Sequence, residues 1–147
     1  MARASSTGKR WGGPWYGQFG ERRKFEQGAA LYPNLISRYD RRPGRLGYTY
    51  HLMIDIWDEP RRVEIRFSKR APSTPHVYVD GPTDSPHRYE DGSLCMWYPH
   101  DPADRRWTFD DGLVTLVGYI TAHLFREAWW RETGEWPGDE VAHDKSA

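Results

Sequence analysis

The chain has 147 residues and a balanced charge, with 21 Lys and Arg against 21 Asp and Glu. This length suits one domain with a continuous core, and an aromatic content of 15% argues against a disordered chain. The zero net charge gives no argument for binding nucleic acid or an anionic membrane, and no apolar stretch is long enough to span one. The single cysteine cannot form an internal disulfide, which agrees with a reducing, cytoplasmic location.

The N-terminal part predicts a flexible segment followed by a helix. Residues 1–15 are rich in Gly, Ser and Arg and have no periodicity, so they are expected to be flexible unless Trp11 and Trp15 dock elsewhere. A single domain is expected over residues 16–147. Its first element is an amphipathic helix from Tyr16 to about Leu31, which ends before Pro33.

Alternating apolar residues then predict a four-stranded antiparallel meander. The turn signals between strands are Arg42-Pro43-Gly44 and Asp58-Glu59-Pro60. In the second strand every other residue from Tyr48 to Ile56 is apolar, which is typical of one buried face. The predicted strands are Asn34–Tyr39, Tyr48–Trp57, Arg62–Phe67 and His76–Val79.

Between Gly81 and Asp111 the sequence follows neither the helix nor the strand period. This stretch contains several prolines, many aromatic residues and Cys95. A loop of that length inside a compact domain is usually functional, so the site is expected here. A second helix is predicted from Asp111 to about Thr133, ending at Gly134, which makes the fold class α+β.

Several motifs give the chain a resemblance to the ubiquitin-conjugating (UBC) fold over roughly residues 20–130. Asp91-Gly92-Ser93-Leu94-Cys95 resembles the G-x-[IL]-C signature of that family, and Thr74–Val79 resembles its P-x-V strand. Trp107 with the helix after it resembles another family feature. The tail Trp129–Gly138, together with His143, resembles bacterial versions encoded in CBASS antiphage operons.

This resemblance implies a function for Cys95. In the family, the equivalent cysteine carries ubiquitin or a related modifier as a thioester. The bacterial versions modify or prime a CD-NTase-type cyclic-oligonucleotide synthetase, which is the partner expected here. No Gly-rich phosphate loop is present to activate a carboxylate, so a ubiquitin-activating-like enzyme is a further expected partner, and no cofactor is expected.

The chain departs from the family pattern at the expected oxyanion donor. Eight residues before the cysteine, the eukaryotic family has the Asn of a His-Pro-Asn triplet, whereas this chain has Ser85-Pro86-His87. An imidazole N–H can donate a hydrogen bond to a developing oxyanion, so His87 is the candidate for that role. The segment Met96–Arg106 is also longer than is usual before the tryptophan.

The loop after the cysteine offers three candidate proton acceptors, or supports for the loop. These are His100, Asp101 and Asp104, and the sequence does not choose among them. Together with Glu90 and Asp91, Asp101 makes the surroundings of the cysteine acidic, which disfavours the thiolate.

Three alternatives stay open on the sequence alone. The chain can be a non-catalytic UBC-like binding module that scaffolds its operon partner. It can be a metal hydrolase, although no H-E-x-x-H or C-x-x-C spacing supports one and no metal is expected. Cys95 can also join a partner cysteine through a disulfide instead of a thioester.

Overall fold

The computed structural model describes residues 13–138, which form an α+β fold with one sheet and two α-helices. Short 3-10 segments occur before and after the first helix and in the long loop before the second. The elements in chain order are α1 (Phe19–Phe25), β1 (Ile36–Asp40), β2 (Gly47–Ile56), β3 (Glu59–Ser68), β4 (Pro75–Val79) and α2 (Gly112–Thr133).

The predicted meander is confirmed, because the four strands pair antiparallel in the order β1-β2-β3-β4. The register places Tyr50 opposite Ile65, and Ile65 opposite Val77, so apolar residues of three strands share one face. These three side chains are buried. The alternation of period two therefore identified the buried face correctly.

Helix α2 covers the buried face of the sheet, and its bounds agree with the predicted helix. It ends at Gly134, whose φ of 79° is the left-handed conformation typical of a helix C-cap. The fully buried apolar residues of the helix recur three or four positions apart, as one helix face requires. They are Leu113, Leu116, Val117, Ile120 and Leu124.

The predicted N-terminal helix is wrong in its length. Gln18 is extended and separates the 3-10 turn Trp15–Gly17 from α1, and α1 ends at Phe25. Gly28 then takes a φ of 86°, which a continuing right-handed helix does not allow. Phe19, an apolar residue within the predicted helix, is 69% exposed.

Trp15, at the end of the predicted N-terminal segment, docks into the core. Its ring is 7% exposed, and its Nε1 donates a hydrogen bond to the Pro72 carbonyl. Burying an aromatic side chain of this size stabilises the fold by more than the chain would gain by leaving this segment flexible. Trp11 and His143 lie outside the described residues.

The turn between β2 and β3 also differs from the prediction. It consists of Trp57 and Asp58, with φ of 51° and 64°, and Glu59 and Pro60 already belong to β3. Two residues with positive φ match the twist of a tight hairpin. Pro60 is tolerated because β4 pairs only with residues 63–67, which leaves the start of β3 with a partner on one side.

Candidate functional site

Cys95 ends a short β-hairpin formed by residues 87–95, here called the Cys95 hairpin. Arg88 and Leu94 form its central bridge, and the Cys95 N–H donates to the His87 carbonyl at 3.0 Å. The Leu94 N–H donates to the Val77 carbonyl at 2.9 Å, which attaches the hairpin to β4. The sequence predicted a loop here, and the structure places this ordered hairpin within it.

The turn of the hairpin is held by Asp91. Its carboxylate accepts hydrogen bonds from the Ser93 N–H and Oγ and, at 2.8 Å, from the Tyr78 hydroxyl of β4. These bonds lower the pKa of Asp91, with the Ser93 side chain as the largest cause. Gly92 follows with a φ of 87°, a conformation that favours glycine. The Asp-Gly pair of the signature therefore shapes the turn that precedes the thiol.

Successive hairpin residues point to opposite faces, and this separates the site into two sides. His87 lies directly opposite Cys95, and Tyr89 follows on the same face two residues later. Arg88 and Leu94 point to the other face and are buried. Thus the thiol shares its side of the hairpin with an imidazole and a phenol.

The Cys95 thiol is half-buried and has two polar neighbours. Burial is the main cause that raises its pKa, a hydrogen bond from the Tyr89 hydroxyl lowers it, and the charge of Asp101 raises it again, with a net increase. Burial, followed by the same contact with Cys95, raises the pKa of Tyr89. The thiol is therefore mainly protonated near neutral pH, and Tyr89 is the neighbour that favours its thiolate.

The candidate oxyanion donor His87 is 8% exposed. Its ring packs on Trp136, with 4.4 Å between the ring centroids, and Trp136 also lies 5.2 Å from the ring of His123 in α2. The tail after α2 therefore covers one side of His87. This packing holds the imidazole near the backbone that carries Cys95.

The three candidate proton acceptors occupy different surroundings. Asp101 accepts a hydrogen bond from the Tyr98 N–H at 3.1 Å, and its carbonyl accepts one from Arg106 Nε at 2.9 Å. His100 and Asp104 are exposed on the same loop. Of the three, the structure brings Asp101 into electrostatic contact with the thiol within residues 13–138.

A buried charged cluster lies behind the hairpin, on the side away from the thiol. Glu127 of α2 is fully buried, and Arg88 contacts both of its carboxylate oxygens, at 2.6 and 2.9 Å. Burial alone would raise the pKa of Glu127, but the hydrogen bonds from its neighbours hold it well below the usual range. We call this group the Glu127 cluster; its members are Ser85, Arg88, His123, Glu127 and Arg131.

Neither Tyr89 nor the Glu127 cluster was singled out by the sequence. Tyr89 carries no recognisable signal, since only the hairpin register brings it to the thiol. Glu127 does carry a signal in the sequence, because it continues the apolar face of α2, three residues after Leu124 and seven after Ile120. A charged residue on a buried helix face needs a partner, and that requirement points to a cluster.

A groove of about 760 Å³ opens beside the hairpin. Tyr89 lines this groove, and so do Leu94 and Met96, the two chain neighbours of Cys95. Most of its wall is apolar, with Pro75, Tyr89, Leu94, Met96, Trp97 and Phe109 among the lining residues.

Across residues 13–138, no helix is long and apolar enough to cross a bilayer. The same part of the chain contains no group of three or more His, Cys, Asp or Glu side chains arranged to hold a metal ion.

The fold and the site together define an α+β protein with one free thiol at the end of an ordered hairpin, beside an aromatic groove. The chain belongs to the family of type II CBASS E2 proteins, whose family model matches residues 25–144. This match confirms the resemblance to CBASS-associated, ubiquitin-conjugating-like proteins. No curated protein and no solved structure matches the chain significantly.

Replacing Tyr89 by Phe is expected to raise the pKa of Cys95 further and to slow its alkylation by iodoacetamide several-fold near neutral pH. The reason is the loss of the hydroxyl that stabilises the thiolate. The pH dependence of the alkylation rate measures the effect. Tyr78→Phe is the matched control, because that hydroxyl donates to Asp91. A profile of Tyr89→Phe that coincides with wild type contradicts the assigned contact.

Proposed function

We infer that this protein is an acyl carrier of UBC-like fold, which receives the C-terminus of a partner or another acyl group on Cys95. The observation that carries the proposal is the position of the thiol. It ends an ordered hairpin, near the Tyr89 hydroxyl, which lowers the pKa of the thiol, and it lies directly across the hairpin from His87. Membership of the type II CBASS E2 family supports the same role.

In the first step the Cys95 thiolate attacks the carbonyl carbon of a thioester on the activating enzyme. The bond between Sγ and that carbon forms, and the bond to the donor sulfur breaks. The donor leaves as a thiolate and takes up the proton that Cys95 released. Tyr89 stabilises the Cys95 thiolate before attack, which offsets part of the effect of burial.

In the second step an amine attacks the thioester on Cys95 and the Cys95 thiolate leaves. The tetrahedral adduct develops negative charge on oxygen, and the N–H of His87 is the candidate donor to it. Asp101 is the candidate acceptor for the amine proton, because its charge already acts on the thiol. The proposed partner is the CD-NTase-type cyclic-oligonucleotide synthetase of the operon, in antiphage defence.

The raised pKa of Cys95 is the observation that favours the alternative, a non-catalytic binding module. A protonated, half-buried thiol is a weak nucleophile. In that case the groove and the surface around the hairpin bind the operon partner without any covalent bond, and Cys95 contributes only to packing.

The test is intact-protein mass spectrometry of wild type and Cys95→Ala after co-expression with the neighbouring genes. We expect a partner-sized adduct on wild type only, released by hydroxylamine. Release by reductant but not by hydroxylamine identifies a disulfide instead. Absence of an adduct, with equal non-covalent co-purification of both forms, supports the binding module.

A further inference from the structure

The Glu127 cluster connects helix α2 to the segment that carries the thiol. The Ser85 hydroxyl donates to Glu127 at 2.5 Å, and Arg88 contacts both carboxylate oxygens. Within the helix, His123 and Arg131 lie one turn before and one turn after Glu127, at 3.5 and 3.6 Å from its oxygens. One carboxylate thus holds two residues of the loop.

Arg88 extends this connection across the hairpin. Its guanidinium donates to the Gly92 carbonyl in the hairpin turn at 2.6 Å, as well as to Glu127. It also approaches the Pro82 carbonyl at the start of the loop, at 3.4 Å. Its side chain is 3% exposed, so the whole guanidinium is held inside the protein. Arg88 therefore ties the loop start, the hairpin turn and helix α2 together.

Because side chains alternate along a strand, the contacts that hold Arg88 also fix the orientation of the residues beside the thiol. Arg88 stands between His87 and Tyr89 in the chain and pairs with Leu94, the residue before Cys95. Since neighbouring side chains point to opposite faces, fixing Arg88 towards helix α2 fixes His87 and Tyr89 on the other face of the hairpin, which is the face of Cys95. A small rotation of the hairpin would turn these groups away from Sγ.

A stability role alone does not account for a buried charge at this place. A buried ion pair is often no more stabilising than apolar residues of similar volume, and its best-supported use is to select one conformation. The other buried side chains of this helix, from Leu113 to Leu124, are apolar apart from His123. The helix face has a carboxylate, Glu127, in place of an apolar side chain at the position that contacts Ser85 and Arg88.

We propose that Glu127 is a positioning residue, which holds the Cys95 hairpin through Arg88 and Ser85 in the one orientation that places His87 and Tyr89 beside the thiol. The proposal rests on the proposed carrier function, which it deepens. Glu127 acts at a distance from the acyl group and touches none of the reacting atoms.

The first variant is Glu127→Gln, which keeps the side-chain size and removes the charge that holds Arg88. We expect at least a tenfold loss of adduct in the co-expression experiment. The pH profile of Cys95 alkylation by iodoacetamide is expected to move to higher pH, in the direction of Tyr89→Phe, because a hairpin that turns away takes the Tyr89 hydroxyl from the thiol. Ser85→Ala removes one of the bonds to Glu127 and should shift both readouts less, in the same direction.

Leu124→Ala is the matched control, since Leu124 is buried one turn before Glu127 on the same helix face. It should lower the melting temperature and leave the pH profile of alkylation unchanged. The proposal is overturned if Glu127→Gln and Ser85→Ala behave like this control. Alkylation is measured on the protein alone, so a wild type that forms no adduct rejects the carrier function without deciding the role of Glu127.

Discussion

Trp107→Ala is expected to cause the largest loss of stability, about 3–5 kcal/mol, which is the usual cost of removing a buried Trp from a core. Trp107 is 2% exposed and packs between Phe67, Trp97 and Phe109, with ring centroids 6.1 to 6.5 Å apart. Its Nε1 also donates to the Gly112 carbonyl at 2.8 Å, so the start of α2 loses a partner.

Thermal unfolding followed by circular dichroism measures this effect. For a domain of this size the loss corresponds to a fall of roughly 10 °C in melting temperature. Trp57→Ala is the matched control, because Trp57 is 51% exposed in the β2–β3 turn, and it should change the melting temperature little. Equal effects of the two substitutions contradict the assignment of Trp107 to the core.

Cys95→Ser is expected to abolish every adduct that reductant releases. If the natural bond is a thioester, a serine hydroxyl at the same place can still accept the acyl group, although it is a much weaker nucleophile. A small amount of oxygen ester is then expected, stable to reductant and cleaved by strong base. If the natural bond is a disulfide, the serine variant forms no adduct at all.

Intact-mass analysis of the co-expressed variant distinguishes these outcomes. Ser93 offers a control within the hairpin, because Ser93→Ala removes a hydroxyl bonded to Asp91 and leaves the thiol in place. It should keep the adduct. Adduct on Cys95→Ser equal to wild type in amount and in sensitivity to reductant shows that the bond is made elsewhere.

Much of the fold could be predicted because local patterns decide it. The apolar alternation of β2 and β3 and the helical period of α2 each follow from burying one face of a regular element. The N-terminal helix failed because tertiary packing overrides weak periodicity: Trp15 and Phe25 are buried while Phe19 between them is exposed. The β2–β3 turn was placed one residue too late because Trp57, which takes a positive φ beside Asp58, is not a usual turn residue.

The same distinction holds for the site: a motif of consecutive residues could be interpreted from the sequence, whereas contacts between residues far apart in the chain could not. A motif of consecutive residues, Asp91 to Cys95, located the thiol, and its surroundings correctly suggested that the thiolate is disfavoured. Burial is the larger cause, however, and of the three carboxylates that the sequence named, Asp101 acts on the thiol. Sequence distance does not determine which side chain of a loop reaches a given atom.

The sequence by itself therefore determined the α+β class, the order of the sheet, the family and the position of the thiol, because these depend on residues close together in the chain. Tertiary structure alone decided that Tyr89 contacts Cys95 and that Glu127 holds Arg88, 39 residues apart. Such contacts depend on the register of a hairpin and on the packing of a helix against a loop. Both are set by burial across the whole molecule, which no local pattern encodes.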